Sequence, residues 1–344
     1  MAGRVVLVTG VSRDLGRRAA RLTAAHPDVD RVIGVDVVPP RGDLGGVSFV
    51  RADIRSPVIA KVIAKEEIDT VLHMSILATP GSLGSRAAMK ELSVIGTMQL
   101  LAAAQRSETV EQVVVKSTTQ VYGASNRDPA MFTETMEARR AARSGYAKDV
   151  AEIEGYVRGF ARRRPDVAVT TLRCANVIGP DVRSPITDHL RQPVIPTVLG
   201  YDPRLQFLHE HDLYGALGRV LESRIPGTFN IAGDGILTMT QVARRMQRST
   251  LPLPSIVFGS GGGFLRPALA ELPPELRGYF IFGRGIDTTR MRTVLGFQPR
   301  FSTAEAVDDL ARAIGPGKRR LPGVLGALEG SLEAVSGILE ASRG

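Results

Sequence analysis

The sequence predicts an α/β protein built on a doubly wound parallel sheet with a smaller C-terminal lobe, and three observations predict it. Short apolar runs alternate with helical stretches, a glycine-bearing turn joins the first run to the first helix, and past residue 172 prolines break the pattern. Val5-Val6-Leu7-Val8 reads as a strand buried on both faces. The turn from Thr9 to Gly16 follows, then a helix over 15–25 and a strand over 31–35, which completes a β-α-β unit. Further strands are expected over 48–50, 70–72, 113–115 and 169–172, with helices over 57–65, 86–104 and 149–163. Such alternation requires parallel pairing with helices on both faces. Pro180, Pro185, Pro193, Pro196 and Pro203 then interrupt any long element, so a ligand-covering lobe is expected there. Gly227-Thr228-Phe229-Asn230-Ile231-Ala232 again reads as a core strand, which returns the chain to the first lobe over 207–235. The expected division is a first domain over 1–175, a substrate lobe over 176–206 and 236–315, and a tail over 316–344. In that tail Leu325, Leu328, Leu332, Val335 and Leu339 trace an amphipathic helix that carries Glu329, Glu333 and Glu340.

Composition bounds the chemistry. In 344 residues, 43% are hydrophobic and 23% charged, a globular balance rather than a disordered or coiled-coil one. The single cysteine, Cys174, excludes an intramolecular disulfide and a zinc site of several thiolates, and it fits a reducing compartment. The first apolar run is too short for a signal-peptide core and no run approaches a membrane span, so a cytoplasmic protein without membrane contact is expected. The net charge of +9 comes from separated arginine clusters without interleaved aromatics, which reads as a solvated surface rather than a nucleic-acid interface.

The turn after the first strand is where backbone N–H groups and a helix dipole can hold a dinucleotide pyrophosphate. Gly10, Ser12, Arg13, Leu15 and Gly16 are its expected cofactor contacts. Asp36 ends the second strand 20 residues beyond Gly16, where a carboxylate accepts hydrogen bonds from the adenosine ribose and repels a 2′-phosphate. NAD is therefore expected over NADP.

These residues resemble the extended short-chain dehydrogenase/reductase group, the epimerase-like NAD-dependent epimerase/dehydratase family, and with it a Rossmann-type doubly wound parallel sheet. The family's turn reads T-G-x-x-G-x-x-G, and here its middle glycine is Arg13, which either crowds the pyrophosphate, contacts a phosphate or faces solvent. Asp53-Ile54 resembles the adenine-contacting pair and His73-Met74-Ser75 the segment beside the cofactor. Ser117-Thr118-Thr119-Gln120-Val121-Tyr122-Gly123 resembles S-S-x-x-V-Y-G, and Arg173 to Pro180 resembles R-x-x-N-V-Y-G-P. Later matches run from Phe207 to Leu213 and from Asp287 to Pro299.

The resemblance implies hydride exchange at a carbinol carbon, with a nucleotide sugar as candidate substrate and a homodimer formed through the two long helices. It implies Thr118 and Tyr146 as catalytic residues, Ser117 and Tyr146 as cofactor contacts, and Thr118, Thr119, Asn176 and Arg204 as substrate contacts. The family's tyrosine is followed four residues later by a lysine that lowers its pKa, and here Val150 stands in that place. Lys148, two residues after Tyr146, lies roughly 200° around a helix from it, so a helix that includes both would keep them apart. Lys116 is the other candidate cation. The Asp-Glu pair of the family's dehydratases is here Thr119-Gln120, neither of which is a general acid or base. His209, Glu210 and His211 suggest a metal but fall in a core segment, so no metal is expected. A different class also fits: a catalytically degenerate NAD-binding sensor or scaffold.

Overall fold

The computed structural model describes residues 3–76, 85–138, 145–255 and 276–316. The amphipathic tail and the arginines around position 140 lie outside the described residues.

Seven strands form one parallel sheet: β1 (Arg4–Thr9), β2 (Val29–Asp36), β3 (Val47–Arg51), β4 (Thr70–His73), β5 (Gln112–Thr118), β6 (Ala168–Cys174) and β11 (Gly227–Ile231). Their order is β3-β2-β1-β4-β5-β6-β11, so the chain reverses direction of travel between β1 and β4, the crevice where ligands bind in such sheets. Side-chain alternation divides the core. Val6, Val8, Val114 and Leu172 face one layer, which includes α1 (Asp14–Ala24) and α7 (Glu210–Ser223). Leu7, Val113 and Val115 face the other, made by α2 (Val58–Lys65), α4 (Gly96–Arg106) and α5 (Gly145–Arg163). A third cluster fills the C-terminal lobe, where β8 (Val194–Val198) pairs with β13 (Ser249–Leu253), and α11 (Thr303–Ile314) packs beside β10 (Phe207–His209). No helix among the described residues is long and apolar enough to cross a membrane.

Two helices differ from their expected bounds. The stretch over 86–104 is not one α-helix: α3 (Arg86–Lys90) passes into a π turn, Glu91–Ile95, before α4 begins. The cause is local. The Thr97 hydroxyl donates to the Ser93 carbonyl at 2.5 Å, and the Gly96 N–H reaches back to Glu91, a skipped residue that marks the bulge. Helix α5 is described from Gly145, four residues before the expected start, and therefore includes both Tyr146 and Lys148.

His73 ties this bulge to the sheet. The Met74 N–H donates to Thr9 Oγ1, the Thr9 hydroxyl to His73 Nδ1, and His73 Nε2 to Thr97 Oγ1, each within 3.1 Å. Because Thr97 spends its proton on Ser93, His73 Nε2 must donate, and a neutral imidazole then accepts at Nδ1. Burial pulls His73 down to about 4, and does the same to His189. Unfolded histidines protonate near 6.5, so the unfolded chain takes up these protons first as pH falls. Stability is expected to be unaffected by them above about pH 6.5 and to drop between 6.5 and 4 by about 1.4 kcal/mol per pH unit for each histidine. Urea midpoints at pH 7 and pH 5 measure the drop, and His73→Asn should remove about half of it.

Candidate active site

The turn between β1 and α1 is shaped by two glycines. Gly10 has φ +81°, a conformation that disfavours side chains. A Cβ on Gly16 would stand 2.2 Å from the Gly10 carbonyl oxygen, so only glycine lets the helix start this close to the strand. Arg13 occupies the N-cap of α1 in extended geometry and makes no capping bond through its side chain. Its guanidinium is half-buried; desolvation lowers its pKa and the nearby Asp36 charge opposes that. Asp36, at the end of β2, is locked to the turn: Ser12 N–H and Oγ donate to Oδ2 at 2.9 and 2.6 Å, and Val37 N–H donates to Oδ1 at 2.8 Å. A carboxylate offers about four acceptor sites, so one stays open for a ribose hydroxyl.

Asp36 faces a hollow lined also by Gly10, Ser12, Arg13, Ala52, Ile54, Ser75 and Leu92. Ile54 packs against Gly96, where a Cβ would come within 2.7 Å of its Cδ1. The hollow adjoins a cleft of about 990 Å³ and shares Gly10, Ser12 and Arg13 with it. Leu15, Gly16, Met74, Lys116, Thr118, Gln120, Tyr146 and Asn176 line this cleft, so the turn and the expected catalytic pair face one space.

Thr118 ends β5 and caps the 3₁₀ turn Thr119–Tyr122, its Oγ1 accepting the Gln120 N–H at 3.3 Å. Its own proton is thus available to a ligand oxygen. Tyr146 projects from the first turn of α5 and is 6% exposed. Burial raises its pKa well above the ordinary 10; Cys174 and Asp149 add to the rise, and Arg86 alone pulls it down. Val150, in the family's lysine position, is completely buried. Lys148 is exposed and does not line the cleft. The positive charge beside Tyr146 instead comes from α3: Arg86 Nη2 meets Asp149 Oδ2 at 2.5 Å, and Asp149 lies one helical turn from Tyr146. Sequence reasoning missed Arg86 because only tertiary packing brings the two helices together.

The remaining expected residues sit elsewhere. Asp53 is held by Arg55, whose Nη2 is 2.7 Å away and whose hydrogen bond lowers the carboxyl pKa. His73 belongs to the relay above. Ser117 donates to Glu154 Oε1 at 2.6 Å, and Thr119 Oγ1 lies 3.4 Å from the buried Arg284 guanidinium. Asp53, His73, Ser117 and Thr119 line neither cavity. Arg204 is exposed on β9 (Arg204–Leu205) and lines a separate hollow of about 220 Å³. His209 stacks on Phe301 and bonds Asp309, while Glu210 bonds Arg18; no metal-binding group of three ligands occurs among the described residues.

A glycine turn at a helix N-terminus, a carboxylate closing the second strand and a hydroxyl–phenol pair across one cleft define a dinucleotide-dependent enzyme fold of the short-chain dehydrogenase/reductase type. The chain belongs to the NAD dependent epimerase/dehydratase family, whose sequence model matches residues 6–232. NAD is the cofactor of this family, and the residues present fit it: the turn amides can face the pyrophosphate, and Asp36 keeps an acceptor for the ribose. The chain is 47% identical over 317 residues to an uncharacterized protein of Mycobacterium tuberculosis (strain ATCC 25618 / H37Rv), covering 91% of this chain and 84% of that one. It is 30% identical over 280 residues to dTDP-glucose 4,6-dehydratase of Streptomyces niveus, covering 78% and 76%. Its fold matches UDP-glucuronic acid 4-epimerase from Bacillus cereus, solved with UDP-glucuronic acid and NAD, at a TM-score of 0.69 and 17% identity, over 90% of this chain and 98% of that one.

Proposed function

We propose that this protein is an NAD-dependent enzyme that exchanges a hydride with a carbinol carbon of a nucleotide sugar. The observation that carries the reading is the single cleft shared by the cofactor turn, Thr118 and Tyr146. Its charge supports an anionic ligand. Arg13, Arg18, Arg41, Lys116 and Arg183 line it against Asp14, Asp181 and Glu210, and those acids are already paired with Arg17 or Arg18.

In this reading the turn and Asp36 hold the cofactor, and Thr118 donates a hydrogen bond to the reacting oxygen. Tyr146 carries the proton that leaves or joins that oxygen. Arg86 is the one group that pulls the phenol pKa down, and its partner Asp149 acts on the phenol more strongly in the opposite sense, so the pair leaves Tyr146 protonated at rest. When bound, NAD supplies the hydride acceptor and donor. The proposed substrate contacts are Thr118 and Asn176, both on the cleft wall. Thr119-Gln120 in place of an acid pair favours epimerisation or oxidation over dehydration.

The test begins with thermal unfolding in NAD, in NADP and in neither. NAD at 100 times its dissociation constant is expected to add about 2.7 kcal/mol, and NADP much less, because Asp36 repels a 2′-phosphate. No shift with NAD would remove the reading. A second reading, a degenerate NAD sensor, is favoured by one observation: the lysine position holds a buried valine beside a phenol pushed far from neutral titration. It predicts the NAD shift without turnover.

A further inference from the structure

Strand β5 runs through Val113, Val114 and Val115, all completely buried, and then presents a lysine. Lys116 shares a face with Thr118, since strand side chains alternate, and both line the cleft. Across the ladder, β6 sets Leu172 beside Lys116 and Cys174 beside Thr118. Neither neighbour neutralises the ammonium; burial pushes the Cys174 thiol up to about 11, so it stays protonated. Lys116 makes no hydrogen bond or ion pair with any described residue. A partly enclosed lysine is seldom left without an anion, because burial without pairing costs free energy.

Two anions could meet it. The cofactor pyrophosphate belongs at the end of β1, and β4 stands between β1 and β5, so at about 4.8 Å per strand it lies about 10 Å from the backbone of β5. The substrate lies nearer, because the reacting oxygen must sit at Thr118, two residues along the same face. Lys116 is not among the charges that act on the Tyr146 phenol, so the tyrosine is not its partner.

We infer that Lys116 binds a carboxylate carried by the sugar, on the ring carbon next to the one that exchanges hydride, so that the substrate is a nucleotide sugar of uronic-acid type. This rests on the nucleotide-sugar reading above. A neutral hexose would leave the ammonium without an anion from the described residues, and a carboxylate would form a charge-assisted hydrogen bond with it.

The test is calorimetric titration of the full chain, with NAD present, against UDP-glucuronic acid and UDP-glucose. The uronic acid is expected to bind at least about tenfold tighter. Lys116→Met should bring the ratio of the two affinities to about one, and Lys116→Arg, which keeps the charge, should retain most of the preference. Equal affinities in the unmodified chain would overturn the inference, as would a preference that survives Lys116→Met. An equal loss of NAD affinity in that variant would assign the lysine to the cofactor and likewise overturn it. If NAD binds but neither these UDP-sugars nor dTDP-glucose does, the nucleotide-sugar reading fails and this inference with it.

Discussion

Tyr146→Phe is expected to lower turnover by about 10²- to 10⁴-fold, the usual worth of a positioned proton-transfer group. The substitution removes one oxygen from a buried ring and leaves the packing around Val150 and Ile153 in place. The wild-type pH profile should carry the same signature. Because burial holds the phenol protonated at neutral pH, oxidation of a carbinol is expected to speed up about tenfold per unit from pH 7 to 9, following the phenolate fraction. Val150→Lys, which places an ammonium one turn from Tyr146, should flatten that rise by lowering the phenol pKa. A wild-type rate equal to that of Tyr146→Phe would establish the sensor reading instead.

The second large effect concerns stability. Glu154→Ala is expected to destabilise the fold by about 3–5 kcal/mol, because it strands a buried guanidinium. Glu154 and Arg173 meet at 2.6 Å with side chains only 3% and 8% exposed. Burial works against the arginine's charge, and the bond and charge of Glu154 outweigh it, so its pKa is raised. Arg173 also donates to the Tyr122 hydroxyl at 2.9 Å and the Glu134 carbonyl at 3.0 Å, and Tyr122 donates to Asn230 Oδ1 at 2.7 Å. One network thus joins α5, β5, β6, the 3₁₀ turn and β11. Urea unfolding of Glu154→Ala measures the loss. The double variant Glu154→Leu with Arg173→Met should recover most of it, because neither charge is then buried alone.

Much of this was legible in the sequence, and the reasons are local. Val5 to Val8, the turn through Gly16 and Asp36 at the end of β2 follow from short-range pattern, and the strand at 227–231 announced itself by composition. Helix bounds were less legible: α5 is described from Gly145, ahead of the helix expected over 149–163, and the π turn is tied to the sheet by Thr97, His73 and Thr9 meeting across the fold. The electrostatics of Tyr146 were legible only by omission. Val150 showed that the usual cation is missing, but no spacing in the chain points to Arg86, whose contact with Asp149 is tertiary. Likewise the exposure of Lys148, and the lack of a partner for Lys116 among the described residues, are properties of the packed molecule.

The place of β11 has a consequence for biosynthesis. It pairs with β6 from Gly227 beside Thr170 to Ile231 beside Cys174, and it brings Asn230 to Tyr122. A nascent chain that has emerged only through β10 has six strands of the sheet and an unpaired edge on β6, a ready template for sticking to another copy. The first lobe therefore closes only after residues 176–206, the first segment of the second, have left the ribosome. A fragment cut after Cys174, where the first lobe looks complete on paper, keeps that raw edge and lacks the cap on the Tyr122 hydroxyl. Expression of the cofactor half by itself calls for residues 227–231 to be carried along or grafted back.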